Sequence, residues 1–235
     1  MKKIYLIPNV LSSTNKPESF LAPMIGEILG SLDGLFIESV KGTGQLFKYL
    51  GIQKHIREWK YVLLNEHTNP SDISGFIREI AENESWGIIS DAGLPGIADP
   101  GSLLVQAAHR KNIKVIPLPG PSSIFLGLMA SGLTGQVFAF HGYLPRKDEE
   151  RMKMIKALEK ESDARSMSQI FIEAPYRNVI LLDELIKHLD DSTRLSVAVD
   201  LTGENETIMT KTVREYKTAK PVIPTDFPAV FLFQA

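Results

Sequence analysis

Cysteine is absent from this sequence of 235 residues. Without thiols the chain forms no disulfides and no thiolate-bound metal centres, and the absence fits a reducing cytoplasm. No apolar run approaches the ~20 residues that a membrane-spanning helix needs. The apolar run at the amino terminus is too short for a signal peptide and is interrupted by Pro8. We therefore expect a cytoplasmic protein that does not enter a membrane.

Several chemical signatures are also missing. The sequence contains no GxxxxGK[ST] loop, no GxGxxG fingerprint and no GxSxG elbow, which weakens nucleotide hydrolysis, hydride transfer and serine hydrolysis as functions. The five histidines are scattered and form no HxH or HxxxH pair, so no metal site is predicted. The net charge of -2 argues against a generally basic nucleic-acid binder but allows a local basic patch.

The most informative stretch runs from Gly87 to Phe125. Its pattern predicts a buried strand, a loop rich in glycine and proline (91–101), an amphipathic helix, a second strand and a further turn (119–123). A strand, crossover helix and strand form a βαβ unit with parallel strands. Both loops then leave the carboxyl ends of neighbouring strands, where open α/β sheets bind their ligands. Two such rigid loops on adjacent strands favour a binding site over ordinary connections.

The fold class follows from the order of the predicted elements. Strand and helix alternate five times in the first half, which predicts a mostly parallel, doubly wound sheet. In the second half some consecutive strands are joined by short turns, which indicates a mixed sheet. We predict two α/β domains, comprising residues 1–118 and 119–235.

Some polar residues at predicted strand ends are candidates for chemistry. The Asp91 carboxylate could bind a ligand amine or a ribose hydroxyl, or it could hold its own loop in an Asx-type turn. Ser122 could help to bind an anion, although capping of the following helix is the better interpretation of that serine alone. Glu173 and Arg177 flank a proline in another strand-end loop, where they could bind substrate or pair with each other.

Four segments resemble one protein family. SDAGLPGIADPG, VIPLPGPSS, FHGYLPRK and FIEAPYRN stand in the order and spacing of the tetrapyrrole methylase family. They are most similar to those members that methylate a ribose 2′-hydroxyl of 16S ribosomal RNA. The resemblance covers the region from about Trp86 to Arg177. It implies two α/β domains with a cofactor cleft between them, S-adenosyl-L-methionine as methyl donor, ribosomal RNA or the small ribosomal subunit as partner, and a homodimer.

The resemblance also implies roles for individual residues. The residues implied to contact the cofactor are Pro8, Asp91, Leu94, Ser122, Ser123, Ile172, Pro228 and Ala229. A hydroxyl acceptor would benefit from a base or a hydrogen-bond acceptor, and we take Glu38 and Glu173 as the catalytic candidates, with Asp91 as a further one. In-line displacement at a sulfonium requires mainly the positioning of donor and acceptor, which explains the lack of an obvious catalytic dyad.

The chain departs from the family in two places. Relatives carry a glycine-containing loop after the first strand, where this chain has Pro8-Asn9-Val10-Leu11-Ser12. Relatives carry an acidic-Thr-Arg motif after the second strand, and only Glu38 matches it here. Three alternatives stay open at this point: a methyltransferase acting on a tetrapyrrole or another small molecule, a non-catalytic RNA-binding relative, and a phosphoryl- or nucleotidyl-transfer enzyme that uses the 119–123 turn as an anion site.

Overall fold

The structure is a computed structural model that describes residues 1–14 and 21–235. The chain divides into two compact units, unit 1 (Met1–Ser122) and unit 2 (Ser123–Ala235). The predicted domain boundary after Leu118 falls just before this division. Among the described residues, no helix combines the length and the apolar character needed to cross a membrane.

Unit 1 contains a parallel sheet of five strands in the order β3-β2-β4-β1-β5. The prediction of a parallel sheet in the first half is confirmed. Its elements are β1 (Lys3–Ile7), α1 (Met24–Gly30), β2 (Gly34–Ile37), α2 (Val40–Tyr49), β3 (Tyr61–Leu63), α3 (Ile73–Glu79), β4 (Ser85–Ile89), α4 (Gly101–Arg110) and β5 (Lys114–Pro117).

Each face of this sheet buries its own apolar cluster, which makes unit 1 doubly wound. Ile7 and Ile37 pack with residues of α1 and α2 on one face. Ile4 and Phe36 pack with residues of α3 and α4 on the other face. Because successive residues of a strand point to opposite faces, a strand that is covered on both sides is apolar throughout. This accounts for the short apolar runs that predicted these strands.

Unit 2 contains a mixed sheet in the order β6-β7-β10-β8-β9, in which only β6 and β7 are parallel. The predicted mixed sheet is confirmed, and β10, the last strand of the chain, lies at its centre. The elements are α5 (Ser123–Ser131), β6 (Phe138–Phe140), α6 (Asp148–Arg165), β7 (Ser168–Glu173), α7 (Asn178–His188), β8 (Arg194–Val199), β9 (Thr207–Thr212), α8 (Val213–Thr218) and β10 (Ala229–Gln234).

Two helix predictions in unit 1 need correction. The apolar spacing over 20–32 predicts a helix along this whole stretch, but α1 is limited to Met24–Gly30, and Phe20 lies outside the described residues. Because serine is a preferred N-cap residue, the sequence predicts Ser71 as the cap of α3, but Ser71 lies within a short 3-10 turn, Pro70–Asp72. The side chain of Asn69 caps that turn by accepting the Ser71 N–H.

In unit 2 the apolar spacing over 179–188 predicts a helix with Ile180, Leu181, Leu185 and Ile186 inward, and α7 buries Leu181 and Leu185 and packs Ile186 partly against the core. Ile180 was expected to face inward, but 52% of its surface is exposed. The buried stripe is Asn178, Leu181, Leu182 and Leu185, and its first member is polar. Asn178 is buried because its amide donates to the Phe227 carbonyl oxygen over 2.8 Å. A pattern search that counts only apolar residues misses such a position.

Candidate functional site

In unit 1 the loops that follow β4, β1 and β5 leave neighbouring strands at the carboxyl edge of the sheet. The first two are joined directly. Asn9 N–H donates to the Gly93 carbonyl oxygen over 2.8 Å, and Gly93 N–H donates to the Asn9 carbonyl oxygen over 3.2 Å. Gly93 has φ +65°, a backbone conformation that glycine adopts at little cost. The β1 and β4 loops therefore form one hydrogen-bonded structure.

The Asn9 side chain strengthens this connection. Its amide donates to the carbonyl oxygens of Ser90 (2.9 Å) and Asp91 (3.2 Å), and its Oδ1 accepts the Val10 N–H over 2.8 Å. Only 1% of the residue is exposed. A buried amide that satisfies two backbone carbonyls fixes the position at which the β4 loop begins. The sequence interpretation did not single out Asn9.

The β2 loop reaches the same place through a chain of polar contacts. Asp91 N–H donates to Glu38 Oε2 over 2.8 Å, and Ser39 Oγ donates to Asp91 Oδ1 over 2.7 Å. Ser39 also caps α2, since its Oγ accepts the Gly42 N–H over 2.9 Å. Gly42 is essential to this arrangement, because an added Cβ would lie 2.1 Å from Asp91 Oδ1. The predicted residues Glu38 and Asp91 are thus brought together by Ser39, which the sequence did not indicate.

Pro8 and Leu94 are also close to each other, on either side of Gly120. A Cβ added at Gly120 would lie 2.1 Å from Pro8 Cβ and 3.6 Å from Leu94 Cδ2. The turn after β5 can therefore lie against the β1 loop only because residue 120 has no side chain. The loops after β1, β4 and β5 are therefore in contact, and the β2 loop reaches the same place. Four predicted residues, Pro8, Glu38, Asp91 and Leu94, lie in these loops.

Asp99 holds the far part of the β4 loop in shape. Its carboxylate accepts the N–H of Gly96 (2.9 Å to Oδ1, 2.8 Å to Oδ2) and that of Gly101 (2.6 Å). Burial raises the pKa of this carboxyl, while the bonds from the Gly101 and Gly96 amides oppose the rise. With its oxygens engaged by backbone amides, Asp99 serves to rigidify the loop.

Glu38 has an unusual electrostatic environment. Burial raises the pKa of its carboxyl, the hydrogen bond from the Asp91 amide lowers it, and the negative charges of Asp91 and Asp99 raise it further. The net direction is upward. A carboxylate whose pKa is raised binds protons more readily than an ordinary glutamate, which suits a group that accepts a proton or a hydrogen bond.

In unit 2 the predicted residues gather around the start of β10. Ala229 pairs with Glu173 of β7 on one side and with Val199 of β8 on the other, and Ile172 pairs with Val230. Pro228 is exposed immediately before the strand. The end of β7 and the start of β10, which are adjacent strands, therefore carry Ile172, Glu173, Pro228 and Ala229. Ser122 ends unit 1 and Ser123 begins α5.

Glu173 is buried, with 3% of its surface exposed. Its Oε1 accepts the Ala174 N–H over 2.9 Å, and its Oε2 lies 3.3 Å from Nη2 of Arg177. That approach meets the distance for an ion pair, but Oε2 receives no well-directed hydrogen bond within the described residues. The carboxylate is therefore paired with Arg177, and its Oε2 is a buried acceptor without a directed hydrogen bond in the described part of the chain.

Asp200 is a buried acid at the end of β8 that the sequence interpretation missed. Its N–H donates to the Pro228 carbonyl oxygen over 3.2 Å, and its Oδ2 accepts the Asn205 N–H over 3.0 Å. Its φ is +51°, and an added Cβ at Gly203 would lie 2.1 Å from its carboxylate. A signal was available: an acidic residue at a strand end, followed three positions later by a glycine.

The described residues, 1–14 and 21–235, contain no group of three or more histidine, cysteine, aspartate or glutamate side chains that could hold a metal ion. The groups that the loops described above present are backbone amides and carboxylates. Such a set of groups suits an organic ligand with hydrogen-bonding edges.

Comparison with known proteins identifies the family. Residues 64–217 match the family model described as Tetrapyrrole (Corrin/Porphyrin) Methylases. The chain belongs to the tetrapyrrole methylase family. The matched region contains the β4 loop and all of β7, so it spans the Asp91 and Glu173 environments described above.

The curated relatives include ribosomal RNA small subunit methyltransferase I of Escherichia coli O157:H7, which is 31% identical over 182 residues. This alignment covers 77% of the present chain and 60% of the relative, so the chain spans only three fifths of that protein. The protein of the same name from Xylella fastidiosa (strain Temecula1) is 32% identical, with coverage of 84% and 69%.

A solved structure shares the fold at low sequence identity. It is uroporphyrin-III C-methyltransferase from Thermus thermophilus, complexed with S-adenosyl homocysteine, and it superposes with a TM-score of 0.56 at 16% identity. The superposition covers 99% of the present chain and 97% of that chain. At this identity the likeness concerns the fold alone.

Proposed function

We propose that this tetrapyrrole methylase is an S-adenosyl-L-methionine-dependent methyltransferase that methylates a ribose 2′-hydroxyl of 16S ribosomal RNA. The observation that carries the proposal is the set of joined loops at the carboxyl edge of the parallel sheet of unit 1. The curated relatives named as ribosomal RNA methyltransferases support the acceptor.

The residues present fit such a cofactor. Asp91 is exposed and uses Oδ1 to accept the Ser39 hydroxyl, which leaves Oδ2 available for a ribose hydroxyl or an amine. Gly120 lacks the Cβ that would overlap Pro8, so the turn after β5 can lie directly against the β1 loop at the same sheet edge. We propose cofactor contacts by Pro8, Asp91, Leu94, Ser122, Ser123, Ile172, Pro228 and Ala229.

When bound, the cofactor supplies a methyl group on a sulfonium, which is already a good leaving group. The chain must therefore mainly hold the acceptor oxygen in line with the methyl group and exclude water. We propose Glu38 as the group that accepts the hydrogen bond, and finally the proton, of the acceptor hydroxyl, because its pKa is raised. Glu173 is proposed as a second catalytic residue that orients the acceptor through Oε2.

The test of the proposed activity has two parts. Isothermal titration measures the binding of S-adenosyl-L-methionine and of its demethylated product, and radiolabelled methyl transfer is then measured with small ribosomal subunits from a strain that lacks this gene. We expect binding of both compounds and a single methylated ribose. Failure to bind either compound would defeat the enzyme proposal. Transfer to a tetrapyrrole, with none to RNA, would leave the cofactor proposal intact and replace the acceptor.

We further propose that the protein is a cytoplasmic homodimer. Support comes from α5, where Phe125 and Met129 leave 52% and 78% of their surfaces exposed. Apolar residues exposed together on one helix are typical of an interaction surface. Light scattering of the protein and of the Met129→Glu variant tests this, since a dimer held by α5 dissociates in the variant.

A further inference from the structure

Positive charge is concentrated in one segment of unit 1, residues 39–61, which we call the basic segment. It carries five lysine or arginine side chains and a single carboxylate, Glu58, whereas the whole chain has a net charge of -2. The segment comprises α2, the loop that follows it and the beginning of β3. The remainder of the chain is therefore acidic, and this segment has the opposite sign.

Most of these charges are not neutralised within the protein. Lys60 lies 3.9 Å from Glu79, and its ammonium lies over the Trp86 ring. In the part of the chain that the structure describes, the other four cations, Lys41, Lys48, Lys54 and Arg57, have no carboxylate within 4.0 Å, and the Lys54 ammonium lies over the Trp59 ring, 4.7 Å from its centroid. Exposed charges that lack internal partners are available to a ligand of the opposite sign.

The basic segment encloses a groove of about 330 Å³. Lys48, Lys54 and His55 lie along it, and Phe47 and Ile52 provide apolar surface. Gly51, with φ +69°, ends α2 and turns the chain so that the following residues face the helix. His55 Nδ1 accepts the Arg57 N–H over 3.1 Å, so the neutral ring carries its proton on Nε2 and can donate from there.

We propose that this groove binds the phosphodiester backbone of the RNA acceptor strand, with Lys48 and Lys54 each contacting a phosphate. The proposal rests on the proposed function and names a contact surface for its substrate. Two ammonium groups and an imidazole donor surround a space large enough for about one nucleotide, with apolar surface for a ribose or a base. Charge complementarity thus favours RNA as the occupant.

The position of the groove is consistent with the candidate site. Helix α2 begins directly after Glu38 and Ser39, and Lys48 lies in its last turn. Nine residues of helix span about 14 Å, close to the rise of about four stacked nucleotides at ~3.4 Å each. A strand held at Lys48 could therefore present a nucleotide about four positions away to Glu38.

The test compares two double variants with the same change in net charge. K48E/K54E alters the groove, and K111E/K114E alters two exposed lysines elsewhere in unit 1. Fluorescence anisotropy with a labelled 20-nucleotide single-stranded RNA measures affinity as a function of salt. We expect K48E/K54E to bind at least about 10-fold more weakly at low salt, and the slope of log K against log salt to fall by about 1.4, the value for two lost phosphate contacts.

Further variants and ligands make the outcome decisive. K48R/K54R keeps both charges and should bind like the unmodified protein, and thermal melts check that every variant folds. Equal weakening in both glutamate variants, or none in K48E/K54E, overturns the proposal. The proposal is also overturned if K48E/K54E weakens binding to small ribosomal subunits but not to free RNA, because the contact would then be with ribosomal protein. Titration of each variant with S-adenosyl-L-methionine tests the proposed function separately, since its failure leaves the RNA measurements interpretable.

Discussion

The amide of Asn9 offers a sharp test of how the candidate site is held together. Replacement by alanine removes the donors to two carbonyl oxygens, those of Ser90 and Asp91, at a position that is 1% exposed. Each hydrogen bond contributes about 1 kcal/mol net, and an unsatisfied buried acceptor adds to the loss. We expect the free energy of unfolding of unit 1 to fall by about 2–4 kcal/mol.

Urea unfolding followed by tryptophan fluorescence is a suitable assay, because both tryptophans, Trp59 and Trp86, lie in unit 1. Gln45→Ala, at an exposed position of α2, is the matched control and should change stability by less than about 0.5 kcal/mol. Asn9→Asp should be worse than alanine at pH 7, because it points a charge at two carbonyl oxygens, and should recover as the pH falls and the carboxyl is protonated. A loss below about 0.5 kcal/mol for Asn9→Ala would refute the view that this amide locks the loops.

Three further predictions concern the same loops. Gly120→Ala should destabilise unit 1 by about 1–3 kcal/mol, because the new methyl group would overlap a proline ring, and it should weaken S-adenosyl-L-methionine binding in a titration. Gly42→Ala should also destabilise unit 1, whereas Gly44→Ala in the same helix, with open space around its Cβ, should stabilise it by about 0.5–1 kcal/mol, and equal effects in urea unfolding would contradict this. Glu38→Gln should raise the free energy of unfolding at pH 7, since the raised pKa means that the charged form is disfavoured on folding. That gain should vanish below the ordinary glutamate pKa, where both side chains are neutral, while methyl transfer should fall at every pH.

The architecture was largely predictable from local patterns. Short apolar runs separated by amphipathic segments identified the strands of unit 1, because strands covered on both faces are apolar along most of their length. Details that depend on distant partners were not predictable in this way. Asn178 belongs to the buried stripe of α7 only because the Phe227 carbonyl oxygen, 49 residues away, accepts its hydrogen bond.

The candidate site was predictable where backbone chemistry leaves a trace in the sequence. Glycine and proline in the β4 and β5 loops indicated rigid turns at a sheet edge, and three loops do meet there. Asn9 and Ser39 could not be recognised in this way. Their hydrogen-bond partners lie 81 and 52 residues away along the chain, and polar residues of every type are common in loops. The polar composition of residues 9–17 predicts a loop after β1, and the structure describes only its first part, residues 9–14.

The departures from the family pattern are compensated by neighbouring groups. After β1 the chain has Pro8 where relatives carry a glycine-containing loop. The turn after β5 still approaches the β1 loop closely, because Gly120, on the opposite side of this contact, has no Cβ. After β2, Ser39 provides a hydroxyl that both caps α2 and contacts Asp91, and Lys41 places a positive charge in the first turn of the same helix. The local sequence differs from the family pattern at both places. A hydroxyl donor and a cation are nevertheless present within a few residues of Glu38, and the residue that contacts the β1 loop has no side chain. We therefore expect Ser39→Ala, which removes the hydroxyl shared by the cap and Asp91, to cost about 1 kcal/mol in stability and to weaken cofactor binding, whereas Ser39→Thr should preserve both in the same urea and titration assays.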